Sequence, residues 1–320
     1  MKKMAKILAL VLTVAMLLPL VACGEKKSDT FTVGICQLVQ HDALDAATQG
    51  FMDALVAELG EDKVTFDNQN ASGDSPMCST IVGQFIANDV DLIMANATPA
   101  LQAASAATTE IPILGTSITE YGVALEIKDF NGTVGGNVSG TSDLAPLDEQ
   151  AAMLKEWFPD AKSVGLIYCS AEANSQYQVD VVKAALEALG YTATLYSFSD
   201  SNDLAAVTEG AVANCDVIYV PTDNTVAANT GIIDNICRPA GIPVIAGEEG
   251  VCSGCGVATL SISYYDLGYA TGQMAAKILT GEANISEMAI EYAPVTKKYN
   301  PTICEALGLT APEGYVAIGG

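Results

Sequence analysis

Apolar residues in this chain fall into short continuous runs that alternate with stretches of helical spacing. The run at 32–40 reads as the first strand, and Val217–Val220, continuously apolar and β-branched or aromatic rather than alternating, as a strand covered on both faces. Over 42–59, Leu44, Ala47, Phe51, Leu55 and Leu59 recur at helical spacing, and Gly60 stops the run. The alternation continues with strands at 64–71, 91–97 and 111–118 and helices at 74–88 and 99–108. It then restarts with a helix at 147–158, a strand entering a helix at 163–175, and a helix at 176–189. A strand at 192–198, a helix at 203–213, a strand at 216–220, a helix at 225–237 and a strand at 242–249 complete the second series. Strands alternating with helices predict parallel, doubly wound sheets with right-handed crossovers.

The second series repeats the first. DLIMANATPA at 91–100 is echoed by DVIYVPTDNT at 216–225, each an acid, a buried strand and an abrupt polar end. Val33-Gly34-Ile35 answers Val164-Gly165-Leu166, and Ile111-Pro112 answers Ile242-Pro243, in the same order and at the same offset. The fold class expected is therefore α/β, with two Rossmann-like lobes joined by a hinge of several segments. The Gly/Ser/Asn-rich stretch 132–143 is expected to make the first crossing and 251–263 the second. A helix at 264–279 then packs back on lobe one, 289–295 returns to lobe two, and 300–307 forms a short terminal helix. Lobe 1 is thus expected over 31–142 plus 258–288, and lobe 2 over 143–257 plus 289–320. Parallel crossings let two lobes close on a ligand.

Charge narrows the ligand. The net charge is −24, Arg238 is the only arginine and His41 the only histidine, so nucleic acid is not an expected partner. The amino terminus reads as a leader at 1–22: Lys2, Lys3 and Lys6, then an apolar run at 7–20 too short to span a bilayer. Nine cysteines are many for an exported chain. Cys36 and Cys169 read as small buried hydrophobes. Cys252-Ser-Gly-Cys255 reads as free thiols or a local disulfide, since one CxxC alone is weak support for zinc.

Open α/β sheets bind ligands beyond the carboxyl ends of their strands. The residues so placed are Gln40, His41, Asn96, Thr98, Thr116 and Ser117 on lobe one. On lobe two they are Asn174, Ser175, Thr222, Asp223, Asn224, Glu248 and Glu249. Each has a competing structural reading. Ser175 and Asn224 suit helix caps, Asp223 a turn, Glu248 and Glu249 a solvated loop, and His41 a cap or surface position. Asp91 and Asp216 precede their strands and read as structural. No GxSxG, Walker A or HExxH motif occurs, and GICQLVQ replaces a dinucleotide fingerprint. The expected class is a binder rather than an enzyme, with no cofactor or metal.

The segments QLVQHDALDAATQGF (37–51), ATPALQAA (97–104), ILGTSITE (113–120), NVSGTSD (137–143), SAEANS (170–175) and PTDNTVA (221–227), with Gly247–Glu249, resemble a known family. It is that of the substrate-binding lipoproteins of ABC transporters, in the tryptophan/tyrosine-binding group, which have the type I periplasmic-binding-protein fold. Asp42 stands where the family pattern has proline, and Cys252 and Cys255 are additional. LVAC at 20–23 resembles the bacterial lipobox, which implies cleavage before Cys23, lipidation of its sulfur and a tether at 23–30. Loss of the three leader lysines leaves a charge of −27. The resemblance implies a monomeric, membrane-anchored, extracytoplasmic protein that captures an amino acid and passes it to a permease and its ATPase. Asp223 is then a partner for the ligand ammonium, and the helix starts at Thr116-Ser117 or Asn174-Ser175 for its carboxylate. A nucleoside or sugar binder, or a receptor domain for a sensor, are the alternatives.

Overall fold

Two parallel sheets, each wrapped by helices, are built from the two halves of the sequence. In the computed structural model, residues 30–319 are described; the leader, the lipobox and Cys23 lie outside the described residues. The first series runs β1 (Phe31–Gln37), α1 (Asp42–Leu59), β2 (Val64–Asn70), α2 (Ser75–Ala87), β3 (Leu92–Asn96), α3 (Thr98–Ala107), β4 (Ile113–Ile118), α4 (Tyr121–Ala124) and β5 (Val138–Ser142). The second runs α5 (Leu147–Trp157), β6 (Ser163–Cys169), α6 (Ala173–Ala188), β7 (Thr192–Phe198), α7 (Leu204–Val212) and β8 (Val217–Val220). It continues through α8 (Asn224–Ala227), α9 (Thr230–Ala240), β9 (Val244–Ala246), α10 (Glu249–Cys255) and β10 (Ala258–Ser261). Then follow α11 (Tyr264–Leu279), β11 (Glu291–Tyr292), β12 (Thr296–Tyr299), α12 (Pro301–Ala306) and β13 (Val316–Ala317).

The sheet orders are β2-β1-β3-β4-β5-β11 and β7-β6-β8-β9-β10-β12-β13. The core of each order is the same, and every pairing is parallel except β10 with β12. Central strands are buried along their whole length, as covering by helices on both faces requires. The duplicated acids play duplicated parts. Asp91 accepts from the Thr32 N–H at 2.8 Å, and Asp216 accepts from the N–H groups of Lys162 and Ser163 at 2.8 and 2.9 Å. Each fastens the start of its strand to the edge of the neighbouring one, far from the carboxyl ends.

Four assignments differ from expectation. The stretch 132–143 is not a crossing throughout: residues 138–142 form β5 within the first sheet, and the crossing begins at Asp143. The stretch 251–263 is not a simple crossing: Glu248 caps α10 by accepting from Gly250 and Val251, and β10 follows inside the second sheet. Residues 258–261 therefore belong to lobe two, and the second crossing lies at Ile262-Ser263. β11 pairs with β5, so 291–292 belong to lobe one rather than two. The helix expected at 225–237 is broken after Ala227, where the Asn229 side chain takes the Thr225 carbonyl at 2.8 Å.

Helix α11 does pack on α1, and closely. A Cβ on Gly268 would lie 1.9 Å from the Ala47 carbonyl oxygen, and one on Gly50 would lie 2.1 Å from that of Tyr265. Only glycine lets the two backbones approach this far. All eight described cysteines are unpaired and buried, Cys252 and Cys255 side by side on α10.

Candidate functional site

The carboxyl ends of both sheets face one cleft, floored by the hinge crossings. It is lined by His41, Leu44, Ser117, Thr119, Asp143, Asn174, Thr222, Asp223, Asn224, Ala227, Glu248 and Tyr264. Seven of the residues expected from sequence are among them. The space enclosed is about 10 Å³, room for about one water, so a solute the size of an amino acid enters only when the lobes part.

Lobe one contributes Ser117 through a distortion of β4. The register with β5 shifts between Gly115 and Ile118, and Ser117 sits at φ +55°, a region that a non-glycine residue enters at a cost. Its hydroxyl is buried and has no protein partner. Asp143 stands one residue past β5, on the first crossing, and Tyr264 opens α11 on the second. The Tyr264 hydroxyl donates to Asp143 Oδ2 at 2.9 Å, joining the two crossings, while Asp143 Oδ1 is buried without a partner. Burial pushes the Asp143 carboxyl up to about 6, against the lowering pull of the Tyr264 and Thr119 side chains and of its own N–H.

Lobe two contributes acids whose oxygens are already engaged. Asp223 accepts from the Cys169 N–H at 2.7 Å and caps α8 through the Val226 N–H at 2.9 Å. Burial, then the nearby Glu172 charge, raise it to about 7. Glu248 spends its oxygens on the first turn of α10, and burial raises it to about 7 as well. Glu172 accepts from the N–H groups of Asn224 and Thr225 at 3.1 and 2.9 Å, from the Asn224 amide at 2.7 Å and from the Thr225 hydroxyl at 2.8 Å. Asn174 gives its Nδ2 to the Thr222 carbonyl at 3.0 Å and keeps a buried, unpartnered Oδ1. Across the gap, His41 Nε2 meets Asn224 Oδ1 at 3.3 Å. Burial lowers the His41 pKa.

The other expected residues lie elsewhere. Asn96 turns under α1, donating to the Leu44 carbonyl at 2.8 Å and Thr48 Oγ1 at 3.0 Å. Thr116 heads a buried ladder of hydroxyls through Thr141 to Thr271. Thr98 and Ser175 are buried in the first turns of α3 and α6, outside the lining. Gln40 is exposed at the outer mouth. Glu249 pairs with Lys298 at 2.7 Å and accepts from Ser261 at 2.5 Å. Sequence reasoning passed over Asp143, Thr119, Tyr264 and Glu172. Asp143 and Glu172 carried the same signal as the residues it chose, an acid just past a strand.

The cleft is thus acidic, has no lysine or arginine in its lining, and presents bare oxygens from Asp143, Ser117 and Asn174. It is built to hold a small polar solute that brings its own positive charge. Two like-ordered sheets around such a cleft define a type I periplasmic-binding fold.

The chain belongs to the ABC transporter substrate binding protein family, whose model matches residues 32–317. It is 37% identical over 263 residues to the tyrosine-binding protein of Clostridioides difficile (strain R20291), covering 81% of this chain and 76% of that protein. The structure of the ABC domain in complex with L-Trp from Streptococcus pneumonia superposes with a TM-score of 0.85 at 31% identity, covering 90% of this chain and all of that one. The ligand-free, open structure of a substrate binding protein with adhesive properties from Clostridium difficile gives 0.69 at 37% identity, over 90% and 99% of the two chains. The chain is more identical to the open structure yet fits the tryptophan complex better. In this chain the narrow cleft, bridged by the His41–Asn224 contact, is that of lobes drawn together.

Proposed function

We propose that this chain captures an aromatic amino acid between its lobes, outside the cytoplasm, and delivers it unchanged to an ABC permease. The observation that carries the ligand class is the bare Oδ1 of Asp143, in a cleft lined by no lysine or arginine. A buried carboxylate of this kind is satisfied by an ammonium through a charge-assisted hydrogen bond. Asp143, rather than the fully engaged Asp223, is the partner assigned to it. The ligand carboxylate faces the Ser117 hydroxyl and the backbone around it, and Leu44, Ala227 and the Tyr264 ring supply apolar wall. The names of the relatives, one tyrosine-binding and one solved with L-Trp, support the aromatic side chain.

Titration calorimetry against free amino acids, nucleosides and simple sugars tests the reading. Tyrosine or tryptophan is expected to bind and to raise the melting temperature by mass action. Heat from sugars or nucleosides alone refutes it. Anchoring through Cys23 is part of the proposal; among the described residues no helix is long and apolar enough to cross a membrane. Palmitate labelling that survives Cys23→Ala excludes that anchor.

A further inference from the structure

The chain has one histidine, and its hydrogen bonds constrain where its proton can be. Glu172 Oε2 accepts the Asn224 backbone N–H at 3.1 Å and, at 2.7 Å, the Asn224 amide nitrogen. That leaves Asn224 Oδ1 turned to His41, and an oxygen facing Nε2 at 3.3 Å requires Nε2 to carry hydrogen. Glu172 cannot easily turn away, because the Thr225 N–H and hydroxyl hold its other oxygen at 2.9 and 2.8 Å. Three residues in a row therefore fix one tautomer. In the neutral ring the remaining nitrogen, Nδ1, is then a lone pair, and it is buried with no partner in the protein. Burial disfavours the imidazolium, against the opposing pull of the Asn224 bond, Glu172, Asp45 and Asp42.

We infer that His41 is a specificity-determining residue: held as the Nε2–H tautomer by Asn224 and Glu172, it accepts a hydrogen bond from the side chain of the ligand through Nδ1. The inference rests on the reading of the ligand as an aromatic amino acid. The ammonium is assigned to Asp143 at the hinge, whereas His41 meets Asn224 of the other lobe. A phenol O–H or an indole N–H meets the bare nitrogen; a phenyl ring leaves it buried and unpaired. Sites that hydrogen-bond a ligand group reject the analogue lacking it far more strongly than apolar pockets reject a size change. The cleft is accordingly selective for tyrosine and tryptophan over phenylalanine, with Glu172 and Asn224 as positioning residues.

Calorimetry on the full chain with tyrosine, tryptophan and phenylalanine provides the test. Phenylalanine is expected to bind at least about tenfold more weakly than the better of the other two. His41→Leu should collapse that ratio to within about threefold, chiefly by weakening the favoured ligand. Phenylalanine binding as tightly as tyrosine to the unaltered chain overturns the inference and leaves the aromatic reading intact. An equal loss for all three ligands in His41→Leu also overturns it, since a residue that only braces the closed lobes acts on every ligand alike. Failure of all three to bind removes the aromatic reading and this inference with it. Nitrogen NMR of the single histidine supplies a second readout that does not depend on the variant. The Nε2–H pattern is expected in the tyrosine-bound protein, with the Nδ1 resonance moving more for tyrosine than for phenylalanine. An Nδ1–H pattern refutes the mechanism.

Discussion

Asp143→Asn should make the protein more stable and its ligand binding weaker, two effects of opposite sign from one atom pair. The carboxyl is raised from its ordinary 3.8 to about 6 by burial. A shift of roughly 2 units is about 3 kcal/mol of preference for the neutral form. The folded state holds this proton more tightly than the unfolded chain does, so the penalty is absent well below pH 4. It grows as pH rises between the two values and is complete above about 6. At pH 8 the wild-type carboxylate costs the closed, ligand-free protein at most about 3 kcal/mol, and at pH 5 about half of that. Asparagine keeps an oxygen for the Tyr264 hydroxyl and carries no charge, so it escapes the cost at both pH values. Urea unfolding of the two proteins at pH 5 and pH 8 should show a gain for the variant that widens with pH. Calorimetry with tyrosine should show a loss of roughly ten- to a hundredfold, because a charge-assisted bond to the ammonium is gone. A variant that is less stable at pH 8, or that keeps wild-type affinity, contradicts the assignment of Asp143.

Three further outcomes test the framework around the cleft. Gly268→Ala places a methyl 1.9 Å from the Ala47 carbonyl oxygen and should cost about 1–3 kcal/mol in urea unfolding; an unchanged midpoint refutes the close packing of α11 on α1. Asp216→Ala removes the acceptor for Lys162 and Ser163 and should cost about 1 kcal/mol with ligand affinity unaltered. Those N–H bonds, first that of Lys162, lower the Asp216 pKa, so its contribution is present at neutral pH and disappears as pH falls below the usual carboxylate range. Thiol titration of the native protein should find the cysteines at 36, 78, 169, 215, 237, 252, 255 and 304 unreactive, and all eight reactive in denaturant. Fast reaction in the native state contradicts their burial.

The repeating architecture was legible because strands covered on both faces leave an unbroken apolar signature, and β3 and β8 carry it in full. What that signature does not encode is the return of the chain at its end. β11 is two exposed residues, Glu291 and Tyr292, and nothing in their pattern says which sheet they join. Helix α10 was hidden for a different reason. Its residues, EGVCSGC, are poor helix formers, and the helix exists because Glu248 caps it and the core of lobe two covers Cys252 and Cys255. In the site, residues next to a strand end were found. Asp143 was passed over although it follows β5 directly, and Tyr264 carried no such signal: it opens α11, 121 positions away, and meets Asp143 only in the fold.

The distribution of satisfied and unsatisfied atoms explains how binding can drive closure. On lobe two, Asp223, Glu172 and Glu248 are spent on the N–H groups of helix starts, so these acids build the wall rather than await a ligand. The buried atoms left without a partner in the cleft lining are Asp143 Oδ1, Ser117 Oγ, Asn174 Oδ1 and His41 Nδ1. Each buried polar group without a partner costs about 1–3 kcal/mol, more for a charged one. Parting of the lobes would expose these atoms to water and so favour the open form when no solute is bound. A solute supplying a cation and polar hydrogens removes the same cost with the lobes shut. The differential affinity that shifts the equilibrium therefore resides in those four atoms, and substitutions there should change the open–closed balance as much as the affinity.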